Sequence, residues 1–97
     1  MRKFGLIGKH LGHSFSKAFF TDKFQQEETD AIYENVELSE IDEIKVVLVA
    51  GSFSGLNVTI PYKEAVIPFL DELSDEATAI GAVNVIAFQD GKTIGHN

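Results

Sequence analysis

With 97 residues and no cysteine, the chain allows one small domain and excludes a disulfide framework, a thiolate metal site and a cysteine nucleophile. Fifteen acidic against eight basic residues give a net charge of −7, which argues against nucleic acid and anionic membranes as partners. At 44% hydrophobic, with eight Phe, the sequence can build a core, yet no apolar stretch approaches membrane-spanning length and the run after Arg2-Lys3 is too short for a signal peptide.

Residues 4–7 form a short apolar run ending at Gly8, as in a buried first strand. Residues 8–16 contain two glycines and small polar residues, the mark of a loop. Ser14 or Ser16 can cap a helix over 17–28, whose apolar stripe is Ala18, Phe20 and Phe24, widened by Phe19. One cap needs one hydroxyl, so the second serine is free to bond something else at this strand-to-helix junction. Residues 31–36 read as a second strand. Ser39-Glu40-Ile41-Asp42 reads as a helix start with a capping-box acid, followed by Ile41, Ile44, Val47 and Leu48 at helical spacing and Gly51 as the stop. This alternation predicts parallel strands joined by right-handed crossovers.

Residues 55–63, Gly-Leu-Asn-Val-Thr-Ile-Pro-Tyr-Lys, read as a strand that stops abruptly. Val58 and Ile60 fall on one face, Asn57 and Thr59 on the other. Pro61 suits the first position of a helix, which places Tyr62 and Lys63 in its first turn. An amide, a hydroxyl and an ammonium are thus gathered past the carboxyl end of a strand, where open α/β sheets bind ligands. An anionic small substrate is compatible with the negative chain, because a local Lys can outweigh distant charge. Taken alone, a first-turn lysine is an ordinary surface residue, and this nonapeptide fixes no function.

Further on, Pro68 breaks or restarts a helix over 64–70, and Asp71-Glu72 fall in a turn. Ser74 caps a short helix, with Asp75 and Glu76 against its positive end and Gly81 closing it. Residues 82–88 are the strongest strand, interrupted by Asn84, which either bonds to backbone or contacts a ligand at the strand's mouth. Asp90-Gly91 is a two-residue hairpin turn, returning the chain through 92–95 as an antiparallel strand. The predicted architecture is a three-layer α/β/α sandwich with a mostly parallel sheet and a C-terminal antiparallel hairpin, its strand-end rim forming one wall of a cleft.

Four stretches in this order resemble the N-terminal, substrate-binding domain of the shikimate dehydrogenase family. They are Gly5-Leu6-Ile7-Gly8 with Leu11-Gly12-His13-Ser14-Phe15-Ser16; the nonapeptide 55–63; Ala79-Ile80-Gly81-Ala82-Val83-Asn84; and Gly95-His96-Asn97. The resemblance implies reversible reduction of 3-dehydroshikimate to shikimate with NADPH, in aromatic amino-acid biosynthesis. It implies that Ser14 and Ser16 bind the substrate carboxylate. Asn57, Thr59, Lys63 and Asn84 would bind its ring hydroxyls and carbonyl, with Lys63 as the catalytic residue. An ammonium at the ketone oxygen can stabilise developing charge and supply a proton.

Departures from the family's pattern fall at Lys9-His10, Lys17, Phe20-Thr21 and Val85. Those at Lys9-His10, Lys17 and Phe20-Thr21 bear on loop shape rather than on the serines. No Gly-x-Gly-x-x-Gly occurs, so NADP(H) is expected to bind outside this stretch, and residues 1–97 are expected to be the substrate-binding part of a longer, cytoplasmic enzyme. The family's acidic partner of the lysine would fall two residues beyond Asn97, and the chain alone is expected to be inactive. The expected partner is shikimate or 3-dehydroshikimate, with no nucleic acid and no membrane; a homodimer is compatible. No metal is expected, since His10, His13 and His96 lack zinc-site spacing. His13 beside Ser14 has no Gly-x-Ser-x-Gly elbow and reads as a loop-ordering residue. The competing readings are a free-standing, non-catalytic module for shikimate- or quinate-like acids and an enzyme that also admits quinate.

Overall fold

The computed structural model describes residues 2–12, 15–50 and 52–97. Six strands form one sheet: β1 (Arg2–Gly8), β2 (Ala31–Glu37), β3 (Gly55–Val58), β4 (Glu72–Leu73), β5 (Val85–Gln89) and β6 (Lys92–His96), in the order β2-β1-β3-β5-β6-β4. The helices are α1 (Phe15–Gln26), α2 (Ile44–Ala50) and α3 (Asp75–Ile80). The β1–β2, β1–β3 and β4–β6 pairings are parallel; β3–β5 and β5–β6 are antiparallel. The mostly parallel sheet is therefore present, but its antiparallel part begins one pairing before the hairpin.

Strand alternation sends neighbouring residues to opposite faces, and each face carries its own core. Leu6 joins Leu11 and Tyr33 under Phe20 and Phe24 of α1. Ile7, next in sequence, joins Ile44 of α2, Leu56, Val58, Tyr62, Val66, Ala77 of α3, Val83 and Ile86. Helices on both faces complete the three layers.

Local chemistry sets several boundaries as expected. Ser74 Oγ accepts from Ala77 N at 3.1 Å, and Gly81 closes α3 at φ +78°. Asp90 and Gly91 both take positive φ, the requirement of a tight hairpin turn whose twist matches its strands.

Elsewhere the structure corrects the expectations. In α1, Phe20 and Phe24 pack inward, but Ala18 and Phe19 face solvent, so the stripe is narrower. The capping box at 39–42 is not formed: a 3-10 turn (Ile41–Glu43) leads into α2, and its flanking Glu40 makes no side-chain cap bond. Gly51, the expected stop, lies outside the described residues. Ile60 does not share the buried face of Val58, because β3 ends at Val58 and Ile60 is 75% exposed.

No helix follows Pro61. The Ile60–Pro61 bond is cis, and turns run to a 3-10 turn over Ile67–Phe69. The hydrogen bonds give the reason. A helix would send the Lys63 carbonyl to Ile67 N; instead Val83 N takes that carbonyl at 2.8 Å, and Ile67 N donates to Glu64 O. Lys63 therefore sits in a turn, not in the first turn of a helix. Finally, Asp71-Glu72 is more than a turn. Glu72 opens β4, held beside β6 because the Asp71 carboxylate accepts from Thr93 N at 2.8 Å and from Thr93 Oγ1 at 3.2 Å.

Candidate functional site

The carboxyl ends of β1, β2, β3 and β6 and the amino end of β5 lie along one edge of the sheet, as the pairing directions require. Backbone hydrogen bonds fix the polar segments at this edge. Thr59 N donates to Ile7 O at 2.8 Å, joining the end of β3 to the end of β1. Val58 N donates to Asn84 O at 2.8 Å, and Asn84 N donates to His96 O at 2.9 Å. Val83 N donates to Lys63 O at 2.8 Å. Thr59, Lys63 and Asn84 are thereby brought to one rim, each half-buried. Asn84 stands at the entrance of β5 rather than inside it, and its backbone groups extend the sheet ladder, leaving the carboxamide free of that duty.

Close approach at the rim depends on Gly8. A Cβ there would lie 2.8 Å from Thr59 Cγ2 and 2.6 Å from Leu11 Cδ2. Only a residue without a side chain lets the β1 loop and the end of β3 meet in this way.

Tyr62 secures the turn that carries Lys63. It is 6% exposed, and its hydroxyl donates to Leu38 O in the loop after β2. Burial, then the Glu43 and Glu40 carboxylates, push the phenol above its ordinary value. Among the described residues no carboxylate pairs with the Lys63 ammonium.

Asn57 differs from the other three. Its Nδ2 donates to Tyr33 Oη at 2.8 Å, on the α1 face of the sheet. There it borders a groove of about 410 Å³ walled by Phe20, Phe24, Tyr33 and Val85. Ser14 lies outside the described residues, as does His13. Ser16 falls in the first turn of α1, and its side chain lies outside the described set.

The loop leading to the serines is held from β2. Leu11 N donates to Glu37 Oε1 at 2.9 Å, and Asn35 Nδ2 donates to Leu11 O at 3.3 Å. Tyr33, Asn35 and Glu37 were missed from the sequence. Their spacing of two along a strand was the available signal, since it places all three on one face.

The rim offers an ammonium, a hydroxyl and a carboxamide, from Lys63, Thr59 and Asn84, a polar set suited to a small polyhydroxylated ligand. Among the described residues no group of three or more His, Asp or Glu could hold a metal ion. No helix among them is long and apolar enough to cross a membrane.

A family model, the shikimate dehydrogenase substrate binding domain, matches residues 6–86. The chain belongs to that family. It is 40% identical to a shikimate dehydrogenase (NADP(+)) of Staphylococcus epidermidis over 98% of this chain and 36% of the relative. Among solved structures, shikimate dehydrogenase 1 from Peptoclostridium difficile superposes with a TM-score of 0.90 at 37% identity, covering 100% of this chain and 37% of that one. A shikimate 5-dehydrogenase from Thermus thermophilus, solved in complex with NADP(H) and shikimate, superposes with a TM-score of 0.86 at 33% identity, over 100% of this chain and 38% of that one. The chain thus spans about a third of the length of the shikimate dehydrogenases it matches.

Proposed function

We propose that these residues form the substrate wall of an NADP-dependent shikimate dehydrogenase, a cytoplasmic enzyme that reversibly reduces 3-dehydroshikimate to shikimate. The observation that carries this reading is the convergence of Thr59, Lys63 and Asn84 on one strand-end rim through direct backbone hydrogen bonds. In this reading Ser14 and Ser16 take the substrate carboxylate. Thr59, Asn57 and Asn84 take ring hydroxyls.

Lys63 acts at the carbonyl. When that carbon is reduced, negative charge grows on its oxygen, and an ammonium held there stabilises the charge and delivers the proton. The turn geometry suits this role, because the Lys63 backbone is pinned to Val83 while its side chain is spared any structural ion pair among the described residues. The residues present do not form a dinucleotide cradle: they contain no Gly-x-Gly-x-x-Gly loop. The hydride donor is therefore assigned, as part of the proposal, to sequence beyond these residues.

The test is a titration of the 97-residue chain with shikimate, followed by amide NMR. Saturable shifts clustered at Asn57, Thr59, Lys63 and Asn84, with Ser14 and Ser16, and lost in Lys63→Ala, are the expected result. Shifts with another acid and none with shikimate would replace this reading with a non-catalytic binding module. NADPH-dependent turnover by the 97-residue chain alone would overturn the division of labour.

A further inference from the structure

Leu38 is the first residue after β2, and both of its backbone groups reach to other segments. Its N–H donates to Gly8 O at 2.9 Å, at the end of β1. Its carbonyl accepts from the Tyr62 hydroxyl. A carbonyl oxygen can only accept, so the phenol must donate and the sense of the bond is fixed. Leu38 is 3% and Tyr62 6% exposed, both in the core on the α2 side of the sheet. Without the phenol, the Leu38 carbonyl would be left buried and unpaired.

A relay thus runs from Tyr62 through Leu38 to Gly8. Lys63 follows Tyr62 in sequence, and a loop follows Gly8. Toward β5, the lysine's turn is held by main chain, with Val83 N on Lys63 O at 2.8 Å. Toward β1, Thr59 N bonds Ile7 O, but Ile60 and Pro61 intervene before Tyr62. On that side the turn itself is tied by a side chain, through one hydroxyl.

We propose that Tyr62 is a positioning residue that sets the spacing between Lys63 and the loop after Gly8, so that one ligand is held from both at once. The proposal rests on the substrate reading given above, in which that loop leads to the serines that take the carboxylate and Lys63 acts at the reacting oxygen. A small ring cannot stretch, so it binds tightly only where its two contact points are already correctly spaced. The gain from holding both ends is lost when the spacing drifts, and a ligand that uses one end never has it. Tyr62 touches no substrate in this reading; it acts through the turn that carries Lys63.

Tyr62→Phe keeps the ring and removes the hydroxyl. In the folded 97-residue variant, affinity for shikimate, read by amide NMR titration, should fall about tenfold, the scale of one buried group left without its partner. Cyclohexene-1-carboxylate, which keeps the carboxylate and lacks the ring hydroxyls, should bind variant and parent within about twofold. A merely structural role would lower the unfolding midpoint and leave both affinities of the folded protein unchanged. In a Lys63→Gln background, adding Tyr62→Phe should cost shikimate no more than about twofold, because the group being placed is already gone. Repeating the titrations in sucrose, which favours the folded state by exclusion from the protein surface, keeps a destabilised variant measurable. Unchanged shikimate affinity in folded Tyr62→Phe, equal losses for both ligands, or the full tenfold loss in the Lys63→Gln background would each overturn the positioning role and leave the substrate reading intact. A variant that stays unfolded in sucrose would overturn it too, since the hydroxyl would then support the fold as a whole. A parent chain that does not bind shikimate would overturn the substrate reading and the proposal together.

Discussion

The Lys63 carbonyl accepts from Val83 N at 2.8 Å, which places the lysine one residue from the rung that Asn84 makes with Val58. Different atoms of the same residue are thus engaged differently: the backbone carbonyl holds the structure, while the ammonium makes no ion pair among the described residues.

Because only the carbonyl is structural, Lys63→Gln should leave the unfolding midpoint unchanged within the range of ordinary surface substitutions, about 0.5 kcal/mol. Shikimate binding should weaken between about ten- and a hundredfold, the range of one charge-assisted hydrogen bond. Parallel urea melts and shikimate titrations of the two proteins check this. A variant that unfolds early would show that the side chain also supports the fold.

What could be read ahead of the structure was what is decided locally. Ser74, Gly81 and Asp90-Gly91 each act within a few residues, and each does what its chemistry dictates. What could not be read depends on distant partners. β4 has two residues and exists because Asp71 meets Thr93, 22 positions away. The expected helix after Pro61 is lost because Val83 N captures the Lys63 carbonyl. The candidate site divides in the same way, as far as the placement of its residues goes. Thr59, Lys63 and Asn84 meet at the rim, whereas the tether between Asn57 and Tyr33 crosses an intervening strand and leaves no trace in local spacing.

Leu11 offers a test of how the serine-bearing loop is held. Its N–H is bound by the Glu37 carboxylate at 2.9 Å, a charge-assisted bond, and its carbonyl more weakly by Asn35 Nδ2 at 3.3 Å. Asn35 Oδ1 is buried without a hydrogen-bond partner among the described residues, a cost that offsets the bond its Nδ2 makes. Glu37→Ala should therefore cost about 1 kcal/mol, and Asn35→Ala should be nearly neutral. Hydrogen exchange at Leu11 N should accelerate in the first variant and not in the second. Equal losses in both would show that the two contacts are not ranked in this way.

Gly95 marks a close approach on the α2 side of the sheet. A Cβ there would lie 2.7 Å from Val83 Cγ2, 2.8 Å from Leu70 Cδ1 and 2.9 Å from Leu73 Cδ2. Three buried or half-buried side chains would have to move together, so Gly95→Ala should destabilise the domain by about 1–3 kcal/mol, the usual cost of overpacking. Thermal unfolding of the variant measures it. An unchanged midpoint would mean that Leu70 and Leu73 can withdraw freely, and that β4 is loosely held.

Tyr62 gives the domain a stability limit in base. Burial and the nearby Glu43 and Glu40 carboxylates raise its folded value above the ordinary phenol value of about 10. The sign follows from linkage. Below pH 10 the phenol is protonated in both states, and its contribution to stability is fully present. Above pH 10 the unfolded chain releases the proton while the folded chain retains it, so unfolding gains and stability falls as pH climbs toward the folded value. Tyr62→Phe removes the titrating group together with the hydrogen bond to Leu38 O. The variant should be less stable than the parent at pH 7, and the gap should narrow as pH rises above about 10 and the parent loses its advantage. Urea midpoints measured from neutral pH upward through that range decide the matter. A gap that stays constant with pH would show that the Tyr62 phenol ionises equally well in the folded and unfolded chain.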